Sequence, residues 1–196
     1  MDMLPQMLAF AIVASVTPGP NTLMVAALSA RGGWRLALPA VLGITAGFIV
    51  LLLLAGLGLA APLAAIPGLQ SAMRWAGAAW LLWLAWRIAT APPPTAQAGE
   101  ARVLGFWGAA AFQWVNPKAW LVGLAALAAF APPGAPVLAT GLWVALAFAI
   151  VSLPCLAVWV GLGMGAGRVL RTPRAWRGFN ALMGALLAMS ILPLLR

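Results

Sequence analysis

Thr17-Pro18-Gly19-Pro20-Asn21 interrupts an apolar run that is otherwise long enough to cross a bilayer. Residues 4–16 before it and 23–30 after it are nearly all apolar. Together they amount to about one crossing, at ~20 residues per helical span. Proline removes a backbone donor and clashes with the preceding turn, so a helix breaks here. The break frees carbonyls and exposes a half-helix N-terminus at membrane depth. Lipid tolerates such backbone only where protein covers it or a cavity receives it. The motif is therefore a candidate substrate site.

A second break has the same character. Gln113-Trp114-Val115-Asn116-Pro117-Lys118 interrupts the apolar stretch 104–130. Aligning Pro18 with Pro117 offsets the halves by 99 positions in a chain of 196 residues. Val16 then falls on Val115, and Ala26-Ala27-Leu28 on Ala125-Ala126-Leu127. Paired, proline-interrupted helices in corresponding positions point to a secondary transporter built from inverted repeats.

Composition sets the solvent. The chain is 65% hydrophobic and 7% charged, against about 25% charged in soluble domains. Its only acids are Asp2 and Glu100, and it has no histidine or tyrosine. These figures predict an integral membrane protein of the all-α class. The basic residues sit mostly at the ends of apolar runs, which reads as topology signalling rather than nucleic-acid binding. The Met-Asp-Met opening lacks a positive n-region, so a cleaved signal peptide is not expected. Cys155 is the single cysteine, which excludes an intrachain disulfide and, with no histidine, argues against a transition-metal site. No cofactor is expected.

Six spans are predicted over residues 4–30, 38–61, 71–90, 104–130, 137–161 and 176–195, with the first and fourth broken. The polar, proline-rich stretch 91–103 links repeat 1 (residues 1–90) to repeat 2 (104–196) within one transporter domain. Gly43 and Gly47 are spaced for close helix packing. Pro154 predicts a kink, and the glycines at 161, 163, 165 and 167 read as a glycine-rich exit from the fifth span. They follow no strand, so they do not read as a nucleotide-binding loop. Arg31 and Arg35, then Arg87 and Arg102, then Arg168, Arg171, Arg174 and Arg177 mark the odd-numbered loops. Arg74 and Arg196 are the basic residues on the other side. Positive residues favour the cytoplasm, so both termini are predicted periplasmic. The broken spans then run antiparallel, as a three-plus-three inverted repeat requires.

Lys118 is placed near mid-membrane, where a charge is costly and by default functional. No carboxylate in the predicted spans matches it, so a substrate carboxylate is the candidate partner. The alternative is that Lys118 lies shallower or only caps the broken helix. Asn21 and Asn116 each offer donors and an acceptor, for a ligand or for freed backbone groups. Thr17 and Gln113 are further candidates of this kind. Asn180 and Ser152 are expected to make interhelical hydrogen bonds, and Trp114 and Trp120 flank the second break. The half-helix N-termini after both breaks should face anionic substrate groups. Ser15 or Ser29 with Lys118 would be a conceivable serine–lysine pair, but nothing in the spacing demands an enzyme. A membrane scaffold or assembly subunit, a small-solute channel and a divalent-metal exporter are the rival classes. The absence of histidine and of intramembrane carboxylates speaks against the last.

Thr17-Pro18-Gly19-Pro20-Asn21 near the start, then Asn116-Pro117-Lys118 in the fourth of six spans, resembles the LysE/RhtB family of bacterial amino-acid exporters. The run from Trp75 to Thr90 is similar to the third span of that family's cysteine/O-acetylserine exporter branch. The resemblance implies an inner-membrane, multi-pass secondary exporter, driven by protons and dimeric. It implies pathway residues Pro18, Gly19, Pro20, Asn21, Asn116, Pro117 and Lys118. The missing intramembrane acids favour small neutral substrates, such as cysteine, O-acetylserine, homoserine or threonine, over cationic ones. Lys118 is the only obvious titratable group at depth and hence the candidate proton carrier.

Overall fold

The computed structural model describes residues 3–59, 65–93, 104–131 and 136–192. Within them the chain is all-helical. Helix α1 is Met3–Val16, α2 Pro20–Leu54, α3 Leu69–Ala89, α4 Phe106–Val115, α5 Pro117–Phe130, α6 Val137–Val169 and α7 Pro173–Met189. A π-helical turn, Ala55–Leu59, extends α2. The linker residues 94–103, parts of the predicted turns at 60–64 and 132–135, and both extreme termini lie outside the described residues, as do Asp2, Glu100, Arg102 and Arg196.

Both expected breaks are present, for the expected reason. Pro20 and Pro117 each stand at the first position of the helix that resumes, where a missing N–H costs nothing. At ~1.5 Å per residue, α1 and α5 are each about 21 Å long, so each break lies well inside its segment. The predicted loop after residue 30 is instead a kink within α2. Gly32 (φ −134°, ψ 16°) leaves helical geometry, and Gly33 (φ 66°, ψ −163°) takes a left-handed backbone open to glycine.

The glycine run after residue 161 is the main correction. It is not an exit loop, because α6 continues through it to Val169. Gly163 and Gly167 face the carbonyls of Ala26 and Ala30 so closely that a Cβ at either would overlap them. Gly43 and Gly47 stand in the same way against Phe106 and Ala110 of α4, as their spacing predicts. Without a hydrophobic force between helices in lipid, such small-residue contacts let dispersion hold the bundle.

Two apolar clusters build the interior. One gathers Met24, Ile44, Leu84, Phe112 and Leu156 around α2, α3 and α4. The other gathers Met7, Leu52, Ala126 and Phe148 around α1, α5 and α6. In the second, Phe148 meets Phe48 and Phe10 edge-on, with centroids 5.3 and 6.2 Å apart. The outward faces are also apolar. Val13, Trp86, Leu121, Ile150 and Leu162 are all well exposed, a surface that suits hydrocarbon and not water. Two helices, at Pro20–Gly58 and Leu138–Val169, are long and apolar enough to cross a membrane.

The basic turns gather at one end of the bundle. The contact of Gly167 with Ala30 sets the end of α6 level with the kink at Arg31. Arg31, Ile88 and Ala91 line one small recess. Asn180 of α7 donates to the Ala91 carbonyl, just beyond the end of α3, at 2.8 Å, so its partner is the segment after a helix rather than the expected helix. At the other end, Gly56 packs against Gly141.

Candidate functional site

The two breaks meet. Lys118 Nζ, from the start of α5, donates to the Thr17 carbonyl at 2.9 Å. That carbonyl is free because Pro18 and Pro20 end the helical ladder. The lysine stem crosses over Gly19, where a Cβ would sit 3.2 Å from both Cδ and Nζ. Gly19 is extended (φ −174°, ψ −176°), a conformation open to any residue. Its missing side chain therefore serves the passage of Lys118 and not the backbone.

Behind the lysine, three amides interlock. Asn21 Nδ2 donates to Gln113 Oε1 at 2.9 Å, and Gln113 Nε2 returns a bond to Asn21 Oδ1 at 3.1 Å. Gln113 also donates to the Ala109 carbonyl at 3.0 Å. Asn116 Nδ2 lies 3.5 Å from both Asn21 Oδ1 and Gln113 Oε1. Gln113 and Asn116 are buried, and buried polar groups need such partners.

The two resuming helices differ at their N-termini. In α5 the first donors are closed. Asn116 Oδ1 accepts the Lys118 N–H at 3.2 Å, and the Asn116 carbonyl accepts from Ala119 and Trp120 at 3.0 and 3.3 Å. In α2, Leu23 N–H reaches the Gly19 carbonyl at 3.0 Å. The Thr22 hydroxyl accepts from Gly19 N–H and donates to the Gly19 carbonyl, both at 2.9 Å. This leaves the Asn21 and Thr22 N–H groups as the open donors of that end. Sequence reasoning expects both half-helix N-termini to be available to an anion; the Asn116 cap closes one of them.

These groups border one cavity of about 70 Å³, several times the ~10–15 Å³ that admits a single water. Gly19, Pro20, Asn21, Gln113, Asn116 and Lys118 line it. Thr17 is not among the lining residues; its carbonyl holds Lys118, while its hydroxyl turns back to Val13. Pro18 and Pro117 shape the backbone and are not among the lining residues. Ile44, Phe48, Val122, Phe148 and Leu156 supply an apolar wall drawn from both clusters. The cavity is thus polar at the breaks and apolar opposite, and Lys118 brings a cation that no carboxylate among the described residues neutralises.

Sequence reasoning missed several lining residues. Thr22 and Thr45 sit in apolar stretches with no local signal. Ser152, expected between helices, lines the cavity with Ser15. Trp159 was also missed: its indole N–H donates to the freed Val16 carbonyl at 3.3 Å. Trp120 does the same for Trp114 at 2.8 Å. Trp114 and Trp120 thus support the second break rather than line the cavity.

The chain is similar to the cysteine/O-acetylserine efflux protein of Salmonella choleraesuis (strain SC-B67), at 37% identity over 125 residues. It is 36% identical over 126 residues to the protein of the same description in Escherichia coli (strain K12). Each alignment spans 63% of this chain and 63% of the relative. No solved structure matches the chain. The profile of the LysE type translocators matches residues 12–195. A match over nearly the whole length, with both proline-broken motifs inside it, means that the chain belongs to the LysE type translocator family.

Proposed function

We propose that this protein is a secondary exporter of small neutral amino acids, carrying them out of a bacterial cell across the inner membrane. The observation that carries this reading is the bond from Lys118 to the Thr17 carbonyl, which joins two broken helices beside a cavity. The substrate carboxylate binds Lys118 and the open Asn21 and Thr22 N–H groups, where the α2 dipole favours an anion. Lys118 has three donors and gives one of them to Thr17. The apolar wall takes the aliphatic part of the side chain. With no acid among the described residues to balance a second positive charge, cationic substrates are disfavoured. The efflux proteins of similar sequence carry names for cysteine and O-acetylserine, which are small and neutral in this sense.

The same reading makes the chain one domain of six spans, with residues 1–90 and 104–196 as inverted three-helix repeats. α1 and the first part of α2 form span one; α4 and α5 form span four. At the 99-residue offset, Gly19 corresponds to Lys118, and these two residues touch. Contact between equivalent positions is what a pseudo-two-fold axis near the site would produce. Clustering of the basic turns at one end of the bundle supports a cytoplasmic end there, with both termini periplasmic. Rocking of the repeats about the breaks gives alternating access. Protons drive the cycle, with Lys118 the carrier, and the working unit is a homodimer.

Inside-out membrane vesicles test the reading. A labelled panel of amino acids should accumulate selectively for small neutral members, saturably, and only with a proton gradient. Unsaturable flux would indicate a channel. No accumulation of any amino acid would refute export, and retained proton coupling in Lys118→Gln would refute Lys118 as the carrier.

A further inference from the structure

The cavity's polar groups divide into those already committed and those left free. Asn21 and Gln113 are bonded to each other, and Thr22 is closed onto Gly19. Thr45 gives its hydrogen to the Val41 carbonyl at 3.0 Å. Such back-bonding is the ordinary fate of a helical hydroxyl, and Ser29 follows it with Ala26. Ser15 on α1 and Ser152 on α6 differ. Both line the cavity, both are half-buried, and neither hydroxyl has a hydrogen-bond partner among the described residues.

A hydroxyl that lines a cavity and bonds neither its own helix nor a neighbour is available to a ligand there. Lys118 and the α2 N-terminus account for a carboxylate. They leave unexplained why two further hydroxyls without partners line the cavity together with Ile44, Phe48, Val122, Phe148 and Leu156. A wholly apolar wall would suit an aliphatic side chain better, and would discriminate poorly against one that merely added a hydroxyl. Hydroxyls placed to bond a substrate's polar atom reverse that preference, because a substrate lacking it leaves them unpaired.

We propose that Ser15 and Ser152 form the side-chain subsite of this exporter. They select small amino acids that carry a hydroxyl, thiol or ester oxygen close to the α-carbon over apolar amino acids of equal size. This inference rests on the export reading above and adds the groups that set its specificity. The serine hydroxyl both donates and accepts, so it serves an alcohol, a thiol or an ester carbonyl alike.

The test uses matched pairs that differ by O–H against CH₃: serine with 2-aminobutyrate, and homoserine with norvaline. Uptake into inside-out vesicles is measured for wild type, Ser152→Ala and Ser15→Ala, alongside thermal unfolding of each purified protein. Wild type should prefer the hydroxyl member of each pair. Each variant should reduce that ratio by about three- to tenfold, the worth of one hydrogen bond. Unfolding temperatures should stay at the wild-type value, since neither hydroxyl bonds the protein. The two variants lie on different helices, so failure of one to fold leaves the other as the test. Unchanged ratios in a folded variant, or equal loss for both members of a pair, would overturn the subsite and leave export standing. Failure of wild type to accumulate any of the four while other amino acids of the panel accumulate would overturn the subsite alone, and failure across the whole panel would overturn export and the subsite with it.

Discussion

Gly19 and Gly43 are both sites of close approach, yet replacing each by alanine should have opposite consequences. At Gly43 the new Cβ overlaps the Phe106 carbonyl oxygen. Backbone on both sides is helical and cannot yield alone, so α2 and α4 must separate. Overpacking of this kind costs about 1–3 kcal/mol. At Gly19 the nearest atoms to the Cβ all belong to the flexible Lys118 side chain, with Cδ and Nζ each at 3.2 Å. The extended backbone accepts alanine without strain, and the loss of glycine's freedom in the unfolded chain stabilises by about 0.4–1 kcal/mol. The lysine stem then moves by a few tenths of an ångström toward the ordinary 3.5–4.0 Å separation. That displacement carries Nζ away from the Thr17 carbonyl, now 2.9 Å distant. A hydrogen bond to a charged group is worth about 1.5–3 kcal/mol when whole; a shift of this size removes only a fraction of that, comparable to the gain from the unfolded chain, while the misplaced ammonium should lower transport by up to about tenfold. Gly19→Ala should therefore unfold within about 1 kcal/mol of wild type yet export poorly. Gly43→Ala should lose stability first. Thermal unfolding in detergent, with export at matched membrane abundance, separates the two. Wild-type export by Gly19→Ala, or destabilisation equal to that of Gly43→Ala, would refute the argument.

Other perturbations read other parts of the structure. Asn21→Ala, which strands the buried Gln113 amide, should cost about 1–3 kcal/mol, and Gln113→Ala, which strands the half-buried Asn21, should cost less; the double variant should cost clearly less than the sum, and strict additivity would deny the reciprocal bond. Gly163→Val should destabilise by at least as much as Gly43→Ala, since it overlaps the Ala26 carbonyl and the Ser29 hydroxyl; a wild-type unfolding temperature would contradict the packing of α6 on α2. Trp159→Phe keeps an aromatic ring and removes the donor to Val16, so it should cost about 0.5–1.5 kcal/mol and leave the substrate profile unchanged. A changed profile would place Trp159 in the substrate path.

The parts of this architecture legible in the sequence are those governed by local rules. The close-set prolines at 18 and 20 and the Asn-Pro step at 117 mark broken helices, whereas Pro39 and Pro154 are carried inside continuous ones, and the glycine pair at 43 and 47 announces a close contact by spacing alone. Asn180, isolated among apolar residues, had to find a partner, and Ala91 supplies it. The contacts that turn the breaks into one site were not legible. That Lys118 reaches Thr17, or that Asn21 pairs with Gln113, depends on how residues nearly a hundred positions apart are brought together. The misreading of Gly163 and Gly167 has a related cause. Glycine lowers helix propensity by about 1 kcal/mol relative to alanine, so a glycine-rich stretch looks unstructured until the carbonyls of Ala26 and Ala30 are set against it. The Asn116 cap follows the ordinary N-cap preference, yet its consequence, that only α2 keeps open donors, emerges only when the two helix starts are compared.

The most direct test of the central claim, that Lys118 and the joined breaks hold an exported amino acid, is made in a bacterium lacking its own related exporters. Amino acids released into the medium are quantified by mass spectrometry for wild type and Lys118→Ala at equal membrane abundance. Selective release of small neutral amino acids by wild type, abolished in the variant, is the predicted result. Equal release by both proteins would contradict it.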